Sequence, residues 1–234
     1  VGNTPGVLVD TTADTAFALL LAAARRVAEG DRFIRAGQWQ PDKRWSPEFF
    51  VGKDVSGATL GIIGLGAIGQ AVARRAAGFG MRVISWTPSG RSMPGVEAMS
   101  LEELLLRSDF VSVHVALGEA TRDLLDGPRI TTMKPGAVLV NTARGGIVNE
   151  RALAAALDRG HIFAAGLDVF EEEPPPADNP LLTHPRVVVT PHIGSATTLT
   201  RAKMVELAVL NAMAALHGEP MPHCVNPQVY AAPG

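Results

Sequence analysis

The sequence predicts an α/β fold: a doubly wound parallel sheet with helices on both faces. Three observations predict it. Six β-like stretches (Thr59–Ile63, Arg82–Trp86, Phe110–Val115, Ala137–Asn141, Ala164–Asp168 and Val187–Thr190) are near-continuous apolar runs, as parallel strands covered on both faces require. Helical segments alternate with them, the pattern of βαβ units. The first stretch runs directly into Gly64-x-Gly66-x-x-Gly69 and then into a helix beginning Gln70-Ala-Val-Ala-Arg-Arg, the strand–turn–helix context that gives this glycine pattern meaning.

Taken in order, residues 1–9 are punctuated by Gly and Pro and read as extended. Asp10, Thr11 and Thr12 offer N-cap oxygens to an Ala/Leu-rich helix expected to end near Gly30. That helix is apolar almost all round, so it should be buried. Asp31–Val55 carries Trp39, Trp45, Phe49 and Phe50 among Pro, Gly and charges, without a clear period. Aromatics on such an arm need a packing partner, which a second subunit can supply. Ser100-Leu-Glu-Glu103 is a capping box for a helix to Arg107. Asn149 can cap a helix that stops at Gly160. Glu171–Pro180 is acidic and Pro-rich and reads as a loop, and a last helix spans about Thr198 to His217, ending at Gly218. The Pro-rich tail to Gly234 should run over the surface. Residues 1–193 are expected to form a dinucleotide-binding domain, and 194–234 a C-terminal helix and tail.

Composition narrows the function. The 234 residues are 47% hydrophobic with a formal net charge of −2, which suits one ordinary domain or one and a fraction. Lys and Arg are scattered, so there is no electrostatic case for nucleic acid or an anionic membrane. No apolar run approaches the roughly 18 residues of a membrane span, and no signal peptide is evident. The one cysteine, Cys224, excludes an internal disulfide and a CxxC or Cys/His zinc pattern, and fits a reducing compartment. No metal is expected, and a cytoplasmic location is.

The glycine turn supplies the chemistry of an anion site. Gly64 permits the tight turn, Gly66 lets the backbone approach a pyrophosphate, and Gly69 lets helix and strand pack closely. Ala67 and Ile68 open the helix whose N-terminus faces the anion. An enzyme using NAD usually has an acid at the end of the second strand to accept hydrogen bonds from the ribose. Here the stretch is Ser85-Trp86-Thr87-Pro88-Ser89-Gly90-Arg91-Ser92. Thr87 stands in place of the acid, and Ser89 and Arg91 offer donors to a 2′-phosphate. NADP is therefore the expected cofactor, with NAD the alternative.

Three residues lie just past the carboxyl ends of later strands, where open α/β sheets place their ligands: Arg144 in Asn141-Thr-Ala-Arg-Gly-Gly146, Glu173 in Asp168-Val-Phe-Glu-Glu-Glu173-Pro174, and His192 in Thr190-Pro-His-Ile-Gly-Ser195. With the glycine turn, these motifs resemble the D-isomer-specific 2-hydroxyacid dehydrogenase family over nearly the whole chain. Trp45-Ser-Pro, the run after His192 and Gly218-Glu-Pro-Met-Pro resemble its glyoxylate/hydroxypyruvate reductase branch most. The resemblance implies a Rossmann-like cofactor lobe and hydride transfer between a nicotinamide and a small 2-oxo acid. Arg144 would grip the substrate carboxylate bidentately, His192 would protonate the alkoxide, and Glu173 would hold the His192 ring. Thr142, Asp168, Gly194 and Ser195 complete the expected cofactor contacts, with Asp168 on the nicotinamide amide or ribose. The resemblance also implies a homodimer through an arm at about 31–55, and a substrate lobe most of which this chain is expected to lack and to which residues 194–234 return. Leu117-Gly118 departs from the family's usual Leu-Thr. Two other readings stay open: a dinucleotide-sensing binding module, and a fragment that binds cofactor without turnover.

Overall fold

The computed structural model describes residues 1–42 and 46–230. The apolar runs become strands β1 (Thr59–Ile63), β2 (Arg82–Trp86), β4 (Phe110–Val113), β5 (Ala137–Asn141), β6 (Ile162–Leu167) and β7 (Val187–Val189), joined by a two-residue strand β3 (Glu97–Ala98). All pair in parallel, in the order β3-β2-β1-β4-β5-β6-β7. Ile63 lies between Trp86 and Val113 in register. The order reverses between β1 and β4, and a doubly wound sheet opens a ligand crevice at the carboxyl ends of its strands at such a point.

The helices are α1 (Val9–Ala24), α2 (Val27–Arg35), α3 (Ala67–Ala77), α4 (Leu101–Arg107), α5 (Gly127–Thr132), α6 (Glu150–Asp158), α7 (Pro180–Thr183) and α8 (Thr198–Leu216). Both sheet faces are covered. On one, Phe17 and Leu20 of α1 and Val72 of α3 pack with Ile62 and Val140. On the other, Leu104, Ile130 and Leu153 of α4, α5 and α6 pack with Val111 and Leu139. Burying each such side chain contributes about 1.5–3 kcal/mol, which is why strands without polar alternation are stable here. Among the described residues, no helix is long and apolar enough to cross a membrane.

Local chemistry sets most helix ends. Ser100 Oγ accepts from Glu103 N–H at 3.2 Å while the Glu103 carboxylate reaches back to Ser100 N–H at 3.3 Å, the expected capping box on α4. Asn149 caps α6 by accepting from Ala152 N–H, and Gly160 follows its end with φ +70°.

Four expectations need correction. The first helix begins at Val9 after Leu8, with no side-chain cap, so Asp10, Thr11 and Thr12 lie inside its first turn. It stops at Ala24 rather than near Gly30. Arg26 turns left-handed (φ 55°) and starts α2, held there by an ion pair with Glu29 at 2.7 Å and by its guanidinium lying 4.6 Å over the Phe50 ring. The arm from Asp31 therefore begins as helix, and its Phe33, Phe49 and Phe50 rings pack edge to face against one another; Trp45 lies outside the described residues. Finally, the tail does more than run over the surface: Asn3 N–H donates to His223 O and Val225 N–H to Val1 O, tying it to the N-terminus. The tail beyond Tyr230 lies outside the described residues.

Candidate active site

β1 ends in the glycine turn at the sheet's reversal point. Gly64 has φ +102°, and a Cβ there would stand 2.6 Å from the His114 carbonyl carbon, so both conformation and space demand glycine. A Cβ on Gly69 would overlap the Gly64 carbonyl oxygen, while one on Gly66 would meet nothing within 4 Å. The third glycine thus seals helix to turn, and the second faces open space at the N-terminus of α3, as a backbone that must admit a pyrophosphate does.

A cleft of about 710 Å³ runs from this turn and is lined by Thr12, Ile68, His114, Thr142, Arg144, Asp168, His192, Gly194 and Ser195 among others. It therefore gathers expected residues from four separated stretches, at Ile68, Thr142–Arg144, Asp168 and His192–Ser195, and adds Thr12 and His114. Thr87, Ser89 and Arg91 lie outside that lining, on a loop after β2 where the Thr87 and Ser89 hydroxyls are 3.2 Å apart. Two buried polar atoms of the lining, Thr142 Oγ1 and His114 Nδ1, have no hydrogen-bond partner among the described residues. Buried polar groups are nearly always satisfied, so these two fit a ligand that supplies its own polar groups, as a nicotinamide dinucleotide does.

The loop after β5 carries Arg144. Asn141, itself buried, accepts from Ala143 N–H at 3.0 Å and donates to Arg144 O at 2.9 Å, which fixes the turn on which Arg144 stands. The exposed guanidinium donates to Ala143 O at 2.6 Å and keeps the rest of its fork for a ligand. The loop after β6 carries Glu173, and its acidic run is pinned: Glu150 accepts from Glu171 N–H at 2.5 Å and from the Asn179 amide at 2.6 Å. Glu173 Oε1 accepts from Phe170 N–H at 3.1 Å, and its Oε2 lies 2.7 Å from His192 Nδ1. A carboxylate only accepts, so Nδ1 carries the proton of this bond and Nε2 is left for the cleft. Burial pushes the Glu173 carboxyl up, but the His192 and Phe170 hydrogen bonds and the Arg144 charge outweigh it and hold the group below its ordinary value. His192 stands at φ +52°, a left-handed conformation that costs a non-glycine residue of the order of 1 kcal/mol or more.

Of the residues that hold these three in place, Asn141, Glu150 and Thr190 carry little sequence signal, only a polar side chain at a strand end or a helix start.

His114 has a further property. The residue is only partly buried, but its Nδ1 is enclosed and its Nε2 lies 2.8 Å from Ser112 Oγ. Burial lowers its pKa from 6.5 to about 4. The unfolded chain therefore takes up a proton below about pH 6.5 that the folded chain refuses until about pH 4. The stability this neutral ring contributes is complete above pH 6.5 and is lost as pH falls, by up to about 3 kcal/mol. Burial also lowers His184, with the same sign, so the comparison must be between variants. Cofactor-free His114→Asn should lose distinctly less thermal stability than the parent between pH 7 and pH 5, followed by circular dichroism; parallel curves would refute this.

Residues 17–194 match the D-isomer specific 2-hydroxyacid dehydrogenase NAD binding domain. The chain is 51% identical to a glyoxylate reductase of Korarchaeum cryptofilum over 98% of its own length and 70% of that protein. It superimposes with a TM-score of 0.90 on the TT0316 protein of Thermus thermophilus, at 50% identity, covering 96% of this chain and 71% of the other. A D-lactate dehydrogenase of Aquifex aeolicus, solved with NAD and lactic acid, superimposes with a TM-score of 0.84 at 29% identity, covering 94% and 70%. The turn, the cleft and these likenesses agree: the chain belongs to the D-isomer specific 2-hydroxyacid dehydrogenase family, with residues 17–194 as its NAD binding domain.

Proposed function

We propose that the protein reduces glyoxylate, or a similarly small 2-oxo acid such as hydroxypyruvate, to the D-2-hydroxy acid with a reduced nicotinamide cofactor. One observation carries the reading. A histidine hydrogen-bonded to a carboxylate at 2.7 Å stands on the same cleft as a guanidinium with free donors and a glycine turn that opens on a helix N-terminus. The bound cofactor would supply the hydride to C2 of the substrate. Arg144 then holds the substrate carboxylate by its planar fork and orients the ketone. His192 donates a proton from Nε2 to the alkoxide oxygen, and Glu173 fixes its ring and tautomer through Nδ1. Gly64, Gly66 and Gly69, with the Ala67 and Ile68 amides, would cradle the pyrophosphate, and Thr142, Gly194 and Ser195 would line the nicotinamide end.

NADPH is the preferred cofactor on this reading, because Thr87, Ser89 and Arg91 leave no carboxylate to repel a 2′-phosphate. Thr87→Asp should therefore weaken NADPH binding relative to NADH by about tenfold or more, about 1.4 kcal/mol. Fluorescence titration of both cofactors checks this, and an unchanged ratio would assign selectivity elsewhere.

Domain roles follow. Residues 1–193 would form the cofactor domain. Residues 194–234 would pack against further protein, which the exposed Leu199, Val205 and Leu216 of α8 support. The aromatic arm at 31–55, with Trp39 60% exposed, would join two copies in a cytoplasmic homodimer, checked by sedimentation. The reductase reading itself is tested by mixing protein, NADPH and glyoxylate or hydroxypyruvate and following absorbance of the reduced nicotinamide. Binding without consumption, for any small 2-oxo acid, would make the chain a sensor or inert binding module instead.

A further inference from the structure

Asp168 directly follows β6 and is 1% exposed. Among the described residues it has no cation beside it, so its burial must be compensated by hydrogen bonds. All of those it accepts at its carboxylate come from one loop. Oδ1 accepts from Thr190 Oγ1 at 2.6 Å and from Ile193 N–H at 2.8 Å, and Oδ2 accepts from Gly194 N–H at 2.8 Å. Its backbone oxygen accepts from His192 N–H at 2.9 Å. These four bonds bracket His192, the residue with φ +52°. A left-handed non-glycine residue persists only where its surroundings over-determine it, and charge-assisted bonds from two successive amides and a hydroxyl do so. The next peptide is gripped from α1, where Thr12 Oγ1 donates to Gly194 O at 3.3 Å. A Cβ on Gly194 would stand 3.2 Å from Asp168 Oδ2 and 3.4 Å from Thr12 Cγ2, so the loop sits close between the two.

We infer that Asp168 is a positioning residue as well as a wall of the cleft: it clamps the 190–194 turn and so sets where the His192 imidazole meets the reacting oxygen. The inference rests on the reading of His192 as the proton donor. Displacing a reacting group by about 1 Å can cost about 10²-fold in rate, so a clamp of this kind has a kinetic signature distinct from a binding contact. Asn in place of Asp168 puts an NH₂ against one of the N–H donors and leaves a buried donor unpaired.

The test uses the full chain, with Asp168→Asn and the milder Thr190→Val, which removes only the hydroxyl donor. Three quantities are read: hydrogen exchange at the Ile193 and Gly194 amides, the Kd of NADPH by fluorescence, and kcat with glyoxylate at saturating NADPH. For Asp168→Asn, exchange at both amides should accelerate about tenfold or more. Its kcat should fall about 10²-fold, with the NADPH Kd within about threefold of the parent. Thr190→Val should move the same quantities in the same direction by less. Unchanged exchange in both variants overturns the clamp, as does Thr190→Val behaving like the parent if Asp168→Asn does not fold. A Kd raised tenfold with kcat retained at saturation overturns it in favour of a cofactor contact. A parent protein that consumes no NADPH overturns the reductase reading instead, and the exchange rates then decide the clamp by themselves.

Discussion

His192→Asn is expected to lower kcat for glyoxylate reduction by about 10²–10⁴-fold while leaving the Kd of NADPH within about threefold of its parent value. The substitution is chosen for the backbone. His192 is left-handed at φ +52°, and asparagine is one of the few residues that tolerates this region, so the loop clamped by Asp168 should keep its shape. An amide cannot act as the acid that the alkoxide needs near neutral pH, which is the role the imidazole is proposed to fill. Asn Nδ2 is bonded to Cγ as His Nδ1 is, so the variant can keep the hydrogen bond to Glu173 while losing the Nε2 proton donor. Absorbance assays at saturating NADPH, with a fluorescence titration of cofactor alongside, separate the two quantities. A variant within a few-fold of the parent in kcat would transfer the proton-donor role to another group or to water.

Much of this arrangement is legible in the residues, and the parts that are not share a physical reason. β1, β2 and β5 are continuous apolar runs bounded by glycine turns and polar residues, so their ends coincide with the change in composition. β3 escapes because Glu97 and Ala98 form an exposed two-residue edge held by pairing with β2 and by ion pairs of Glu97 with Arg82 and Arg107 at 2.5 and 3.3 Å. Nothing local requires it. The break at Arg26 escapes for a similar reason. Helix ends are commonly marked by glycine, whereas here an arginine takes the left-handed position because Glu29 and Phe50 receive its guanidinium, and Phe50 is distant in sequence.

The candidate site divides in the same way. Arg144, Glu173 and His192 follow from a rule about strand ends, which needs only strands and loops to be located. The supports follow from contacts between loops of different strands. Glu150 begins a helix, and nothing in Asn149-Glu150 says that its carboxylate will hold the Glu171 amide and the Asn179 side chain. Those bonds turn an acidic, Pro-rich run, which composition alone reads as solvated, into a fixed platform for Glu173. Asp168 shows the converse. The motif marks it, but only the folded loop shows that its oxygens are engaged by Thr190, Ile193 and Gly194.

Arg144→Gln is expected to lower kcat/KM for glyoxylate by about 10²–10³-fold, with Arg144→Lys losing about tenfold. In the free protein the guanidinium does little, making one hydrogen bond to the neighbouring Ala143 carbonyl at 2.6 Å. Its backbone is nevertheless fixed, by Asn141 on one side and on the other by Gly145, where a Cβ would overlap the Phe170 carbonyl. A cation held on a fixed turn at a cleft and left largely uncommitted is poised for an anion. Two charge-assisted hydrogen bonds to a substrate carboxylate, at about 1.5–3 kcal/mol each and not fully additive, give about 3–4 kcal/mol, hence the 10²–10³-fold figure. Lysine retains the charge and loses the planar fork, so it should recover part of the binding and little of the orientation. The split between KM and kcat is informative. If Arg144 only holds the carboxylate, Gln raises KM alone; if it also aligns the ketone, kcat falls with it. Steady-state kinetics against glyoxylate decide between these. Equal kcat/KM for the parent and Arg144→Gln would remove Arg144 from substrate recognition, and a raised NADPH Kd would place its guanidinium on the cofactor instead.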